Sequence, residues 1–194
     1  MADAHLSFSS LSGLSSDDQL LFARFGLGES QKAPFACVHH AFEHNASVQP
    51  DAIAVEHLSD TITYAELDRK ANALAQLLRG SGIRPGSRVC LLVQRSIPMV
   101  IGILATLKAG GQYVPLDGGI VTQSTLDFVL EDSGASAVLC LREFAHRVDE
   151  TETRRVIVLE DAIACYCALE ADCGKPEDLS SPDDGVYVIY TSGT

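Results

Sequence analysis

Tryptophan is absent from this sequence and basic residues are scarce, with fourteen Lys/Arg against twenty-six Asp/Glu and a net charge of −12. So acidic a chain repels phosphodiester backbones and anionic lipid headgroups, which argues against nucleic acid or membrane as its main partner. No apolar run reaches membrane length, since the longest, Ile97 to Leu107, is about half of the roughly 20 residues a span needs. The first residues, MADAHLSFSS, lack the basic segment and apolar run of a secretory signal. A soluble, cytoplasmic protein is the expectation. The G-x-x-x-x-G-K-[ST] phosphate loop is also missing, as is any paired C-x-x-C metal spacing.

Apolar residues make up 46% of the chain and charged ones 21%, enough for one domain with a real core. Acid is concentrated from Asp149 to Asp184, where eleven Asp/Glu face three Lys/Arg, giving −8 of the total. Such a block reads as a solvated face or loop. Of six cysteines, Cys90 and Cys140 sit in apolar, strand-like runs, where a thiol behaves as a small buried hydrophobe. Cys165, Cys167 and Cys173 have no histidine near them in sequence, so reduced thiols are expected and no metal ligand is assigned.

Periodicity divides the chain. Residues 1–35 read as a leader or linker with one short helix, begun at Ser15-Ser16-Asp17-Asp18 and stopped at Gly26. From residue 36 to 194 a single domain is expected. A helix from about Ala36 to Ala46 precedes strand signals at Ile53–Glu56 and Thr61–Thr63. Thr63-Tyr64-Ala65-Glu66 is a capping box, opening a helix with Leu67, Ala71, Leu74, Ala75 and Leu78 on one face. Val89–Val93 is apolar on both sides, as buried parallel strands are. Helix and strand then alternate: Ser96–Lys108, Tyr113–Leu116, Gln123–Asp132, Ala137–Leu141, a weaker helix, Val156–Leu159, a loop-like acidic stretch, and Val186–Tyr190. This order predicts an α/β fold with a mainly parallel sheet and helices on both faces. Ligands of such sheets bind beyond the strand carboxyl ends, where the final residues are expected to lie.

Those final residues, Thr191-Ser192-Gly193-Thr194, combine three hydroxyl donors with a glycine that lets backbone N–H groups approach an anion. Alone they also describe a surface turn. Context adds weight. Leu107-Lys108-Ala109-Gly110-Gly111-Gln112-Tyr113-Val114-Pro115-Leu116-Asp117 resembles the LKAG-x-x-YVPLD signature of nonribosomal peptide synthetase adenylation domains. Thr63 to Leu67 with Ala71-Asn72 and Leu74-Ala75, Gln94-Arg95-Ser96, and Tyr187 to Thr194 resemble three further segments of that family, in its order.

The resemblance implies the N-terminal subdomain of the adenylate-forming fold, of luciferase and acyl-CoA ligase type, incomplete and broken off inside the phosphate loop. It implies activation of an amino acid by ATP with Mg²⁺ as aminoacyl-AMP, then transfer to the phosphopantetheine thiol of a downstream carrier domain. Thr191, Ser192, Gly193 and Thr194 would be the first half of the ATP phosphate cradle. No catalytic residue falls in this stretch, so the fragment alone is expected to be inactive. With Met1 as the native start, no condensation domain would precede it. An acyl- or aryl-CoA ligase fragment and a non-catalytic truncated product are the alternatives. The sequence departs from the family at Gly118-Gly119-Ile120-Val121-Thr122, where a Pro- and Arg-containing stretch is usual.

One rival motif is His40-Ala41-Phe42-Glu43-His44, an H-x-x-E-H zinc-peptidase pattern. Val38, Ala41 and Phe42 read as the apolar side of that helix. His40, about 200° around from Val38, would then turn with His44 to solvent. Zinc chemistry is not expected of that pair.

Overall fold

The computed structural model describes residues 13–26, 28, 31–168 and 174–191. It divides into two compact units, Met1–Pro34 and Phe35–Thr194. The first contains α1 (Ser16–Phe25), whose N-cap Ser15 accepts from the Asp18 N–H at 3.2 Å. None of its residues is buried.

The second unit starts with α2 (Val38–Val48) and a hairpin of β1 (Ile53–His57) and β2 (Asp60–Thr63). The capping box forms as expected. Thr63 Oγ1 accepts from the Glu66 N–H at 3.3 Å, and the Thr63 N–H donates back to Glu66 Oε2 at 3.5 Å. It opens α3 (Tyr64–Gly80), which buries Leu67, Ala71, Leu74, Ala75 and Leu78.

Four parallel strands follow: β3 (Arg88–Val93), β4 (Gln112–Asp117), β5 (Ala137–Cys140) and β6 (Arg155–Val158), in spatial order β4-β3-β5-β6. Their connections are α4 (Ile97–Lys108), α5 (Gln123–Asp132) and a 3₁₀ helix at Arg142–Arg147. The path from β3 to β4 runs outward and the path from β4 to β5 returns past β3. Right-handed crossovers therefore put α4 and α5 on opposite faces. The core lies between these layers, with Leu91, Leu92 and Leu139 of the sheet, Ile101 of α4 and Leu126 of α5 all fully buried.

Two expectations need correction. The acidic stretch is not only a loop, because α6 (Leu159–Ala168) lies within it. Leu159 and Ala162 are buried, while Glu160 and Asp161 occupy the first turn, where the helix dipole favours acids. The strand expected at Val186–Tyr190 is reduced to one parallel bridge, Tyr187 to Tyr113, on the outer edge of β4. The backbone bonds of that bridge run from the Tyr113 N–H to the Val186 carbonyl and from the Val188 N–H to the Tyr113 carbonyl.

Candidate functional site

Parallel sheets of this kind bind ligands where strand order reverses, beyond the carboxyl ends. Here that point lies beside β3, between the exits of β4 and β5. Gln94 follows β3, and Asp117 ends β4 with Gly118-Gly119 after it. Asp117 Oδ1 accepts from the Gly119 N–H at 2.9 Å. A Cβ on Gly118 would fall 2.3 Å from the Phe144 ring, so only glycine fits that approach. Arg147, from the 3₁₀ helix, donates to the carbonyls of Gly118 and Val121, each at 2.7 Å. The loop that departs from the family pattern is thus braced from outside by an arginine about thirty residues on, which local sequence does not signal.

Of the expected phosphate-binding residues, Thr191 is exposed, while Ser192, Gly193 and Thr194 lie outside the described residues. The approach to them differs from expectation. Tyr190 donates its hydroxyl to Asp132 Oδ2 at 2.6 Å and packs edge-on against Phe128, ring centroids 6.2 Å apart. Asp132 ends α5 just before β5 begins, and Arg88, at the start of β3, acts on Tyr190 electrostatically. The Tyr190 hydroxyl therefore reaches the C-terminal end of α5, near the start of β3. Among the described residues the pairing with β4 is that one bridge, and the Tyr190 side chain packs on α5. The bond to the Asp132 carboxylate holds the Tyr190 phenol above its ordinary pKa, with burial adding to the shift.

The LKAG segment has a structural account. Gly110, at φ +87°, closes α4 as the left-handed residue of a Schellman motif, with Gly111 N–H to Thr106 O and Gly110 N–H to Leu107 O both at 2.9 Å. Lys108 is 2% exposed. Its ammonium ion-pairs with Glu43 of α2 and, at 2.9 Å, with Asp68 of α3. It lies 6.0 Å from the centre of the Phe42 ring. Three helices thus meet on one buried cation. Lys175 reaches the other oxygen of Glu43 at 2.6 Å, and those two lysines hold the Glu43 carboxyl below its usual range against the opposing effect of burial.

The zinc-peptidase arrangement does not form. Glu43 is committed to the two lysines, and His44 is exposed. The outward face assigned to His40 also needs correction, for it is Val38 that is exposed, at 59%. His39 is buried, and His40 Nε2 meets Asp178 Oδ2 at 2.6 Å. The helix buries a polar stripe because its partners, Lys108, Lys175 and Asp178, come from distant segments. Beside it, a cleft of about 90 Å³ opens between the start of α2, the α4–β4 turn and residues 180–186.

The family described as "AMP-binding enzyme" matches residues 42–194. Adenylate-forming reductase 06235 of Coprinopsis cinerea is 48% identical over 184 residues, 95% of this chain and 18% of the relative. Zwittermicin A synthase ZmaJ of Bacillus cereus is 39% identical over 158 residues, 81% of this chain and 29% of its own length. Among solved structures, the nonribosomal peptide synthetase FmoA3 in its AMPPNP-bound form superposes with a TM-score of 0.78 at 27% identity. That match covers 92% of this chain and 18% of FmoA3. The chain spans about a fifth of the first curated relatives it matches.

Proposed function

The chain belongs to the family of AMP-binding enzymes, with the fold of the N-terminal subdomain of nonribosomal-peptide-synthetase-type adenylation domains, and from that premise we propose that it supplies the first part of a site joining ATP to an amino-acid carboxylate. The observation that carries this reading is a family match running unbroken from α2 to Thr194, through the whole parallel sheet. The product would be an aminoacyl-adenylate with release of pyrophosphate. Its acyl group would pass to the phosphopantetheine thiol of a carrier domain.

The chemistry is set by charge. A carboxylate oxygen must attack the α-phosphorus of a polyanion, so donors have to offset the repulsion as the transition state forms. Thr191, Ser192 and Thr194 offer hydroxyls, and Gly193, with no side chain, would let backbone N–H groups approach the phosphates. Bound Mg²⁺ would supply further neutralisation of the phosphates. No carboxylate of this chain is assigned to it. Lys108, although cationic, is locked between Glu43 and Asp68 and contributes to the scaffold only.

A second reading comes from the two relatives at 48% identity, both named adenylate-forming reductases. In that case the activated acyl group is reduced, and the acid need not be an amino acid. One experiment addresses both. A protein containing this chain within a complete adenylation domain is assayed for acid-dependent exchange of pyrophosphate into ATP, using amino acids and other carboxylic acids. Exchange with amino acids and loading of a carrier thiol support the first reading. Exchange with other acids and consumption of a reductant support the second, and no exchange with any acid contradicts both.

A further inference from the structure

Outside the expected nucleotide site, three side chains converge where none of the reactions above requires them. His39 and His40, adjacent on α2, both aim Nε2 at the Asp178 carboxylate, His40 to Oδ2 at 2.6 Å and His39 to Oδ1 at 3.8 Å. Their rings meet edge to face with centroids 4.5 Å apart. One ligand atom from each of the three residues lies within 4.8 Å of the others, the one such cluster among the described residues. The geometry points to a divalent transition-metal site made of His39, His40 and Asp178.

The donor set chooses the class of ion. Two imidazole nitrogens and one carboxylate suit Zn²⁺, Co²⁺ or Ni²⁺, whereas Mg²⁺ and Ca²⁺ take oxygen ligands. Tetrahedral Zn²⁺ with bonds of about 2.0–2.2 Å places its ligand atoms about 3.3 Å apart. The two separations measured here, 2.6 and 3.8 Å, bracket that value. All three ligand atoms lie within 4.8 Å of one another, so shifts of up to about 1.5 Å would complete the site, with the ion taking the place of the His40–Asp178 hydrogen bond.

The surroundings favour rigid ligands and an open coordination position. His39 is buried on the helix. Asp178 Oδ1 accepts from the Ser180 N–H at 3.0 Å, and Arg79 holds the preceding carbonyl of Glu177 at 2.7 Å. The nearby charges are balanced, Lys108 by Glu43 and Asp68, and Lys175 by Glu43. Asp178 and His40 keep 35% and 24% of their side chains exposed, so water and the ion have access. A bound ion would fasten residues 174–184 to α2. None of this depends on the proposed adenylation.

The test uses the 194-residue chain, titrated with Zn²⁺ by calorimetry and with Co²⁺ by visible absorption. One equivalent is expected to bind, with a Co²⁺ spectrum of nitrogen and oxygen ligation. His40→Ala and Asp178→Asn should each weaken binding at least about tenfold. His44→Ala, at an exposed histidine of the same helix, and Cys165→Ser should leave it unchanged. Asp178→Asn keeps the side-chain shape, so lost binding with unaltered circular dichroism reports the ligand itself. Absence of stoichiometric binding overturns the proposal. So does binding that survives both His40→Ala and Asp178→Asn, or that disappears with Cys165→Ser.

Discussion

Replacing Lys108 with methionine keeps the length of the side chain and removes the charge on which α2, α3 and α4 converge. The ammonium is almost wholly buried, and it faces Glu43 and Asp68, whose side chains are 15% and 28% exposed. Breaking a buried pair by removing one partner costs about 3–5 kcal/mol, because an uncompensated charge is left behind. The lower end applies here. Glu43 keeps Lys175 at 2.6 Å, and Asp68 retains access to water. A loss of about 3 kcal/mol is expected. For a chain of this size it corresponds to a fall of about 6–12 °C in Tm, at about 2–4 °C per kcal/mol. Urea and thermal denaturation of Lys108→Met beside the parent chain measure it. Adding Glu43→Gln to Lys108→Met should restore part of the loss, because the half-buried anion is then gone and Lys175 is solvated. A Lys108→Met chain within about 0.5 kcal/mol of the parent would refute the account of this cluster, since that is the range of an ordinary surface substitution.

Gly110→Ala is expected to destabilise by about 1–2 kcal/mol, the penalty of a left-handed backbone for an L residue. The added Cβ would also lie 3.2 Å from Pro85, and a denaturation midpoint checks it. The cysteines should separate in an alkylation time course at pH 8 under native conditions. Burial pushes the Cys90 thiol up to about 12 and the Cys140 thiol up to about 11, so both stay protonated and unlabelled, while exposed Cys165 is labelled ahead of them. Labelling of Cys90 as fast as Cys165 would contradict the buried sheet.

What the sequence made legible is what local chemistry determines. The α3 start follows from Thr63 and Glu66, three residues apart, and β3 from a run with no polar face. Ser96 was expected to cap α4, and it accepts from the Met99 N–H at 3.3 Å. The α6 helix is masked in the sequence by its acidic surroundings, although Leu159, Ala162 and Ile163 follow helical spacing. The His39 and His40 environment had no local signal, since Asp178 lies 138 residues from His40. Val38 is apolar by type, yet the partners that decide which face of α2 is covered come from α3, α4 and residues 174–178. The approach to the phosphate loop likewise depends on a distant segment. Strand character in Val186–Tyr190 is visible in sequence, but the ladder stops because Pro115, two residues past Tyr113 on β4, has no N–H to donate to the next rung.

The central claim is that Thr191 to Thr194 hold the phosphates of ATP during acid activation. The most direct measurement is acid-dependent pyrophosphate exchange by a complete adenylation domain containing this chain, with thermal stability recorded for each variant. Ser192→Ala should slow exchange by about 5- to 150-fold, as loss of a hydrogen bond worth about 1–3 kcal/mol to a charged group requires. Gly193→Val should slow it further by blocking the backbone approach, and stability should be unaltered in Ser192→Ala. Exchange at the parent rate in both variants would mean the loop is an ordinary turn and would contradict the claim.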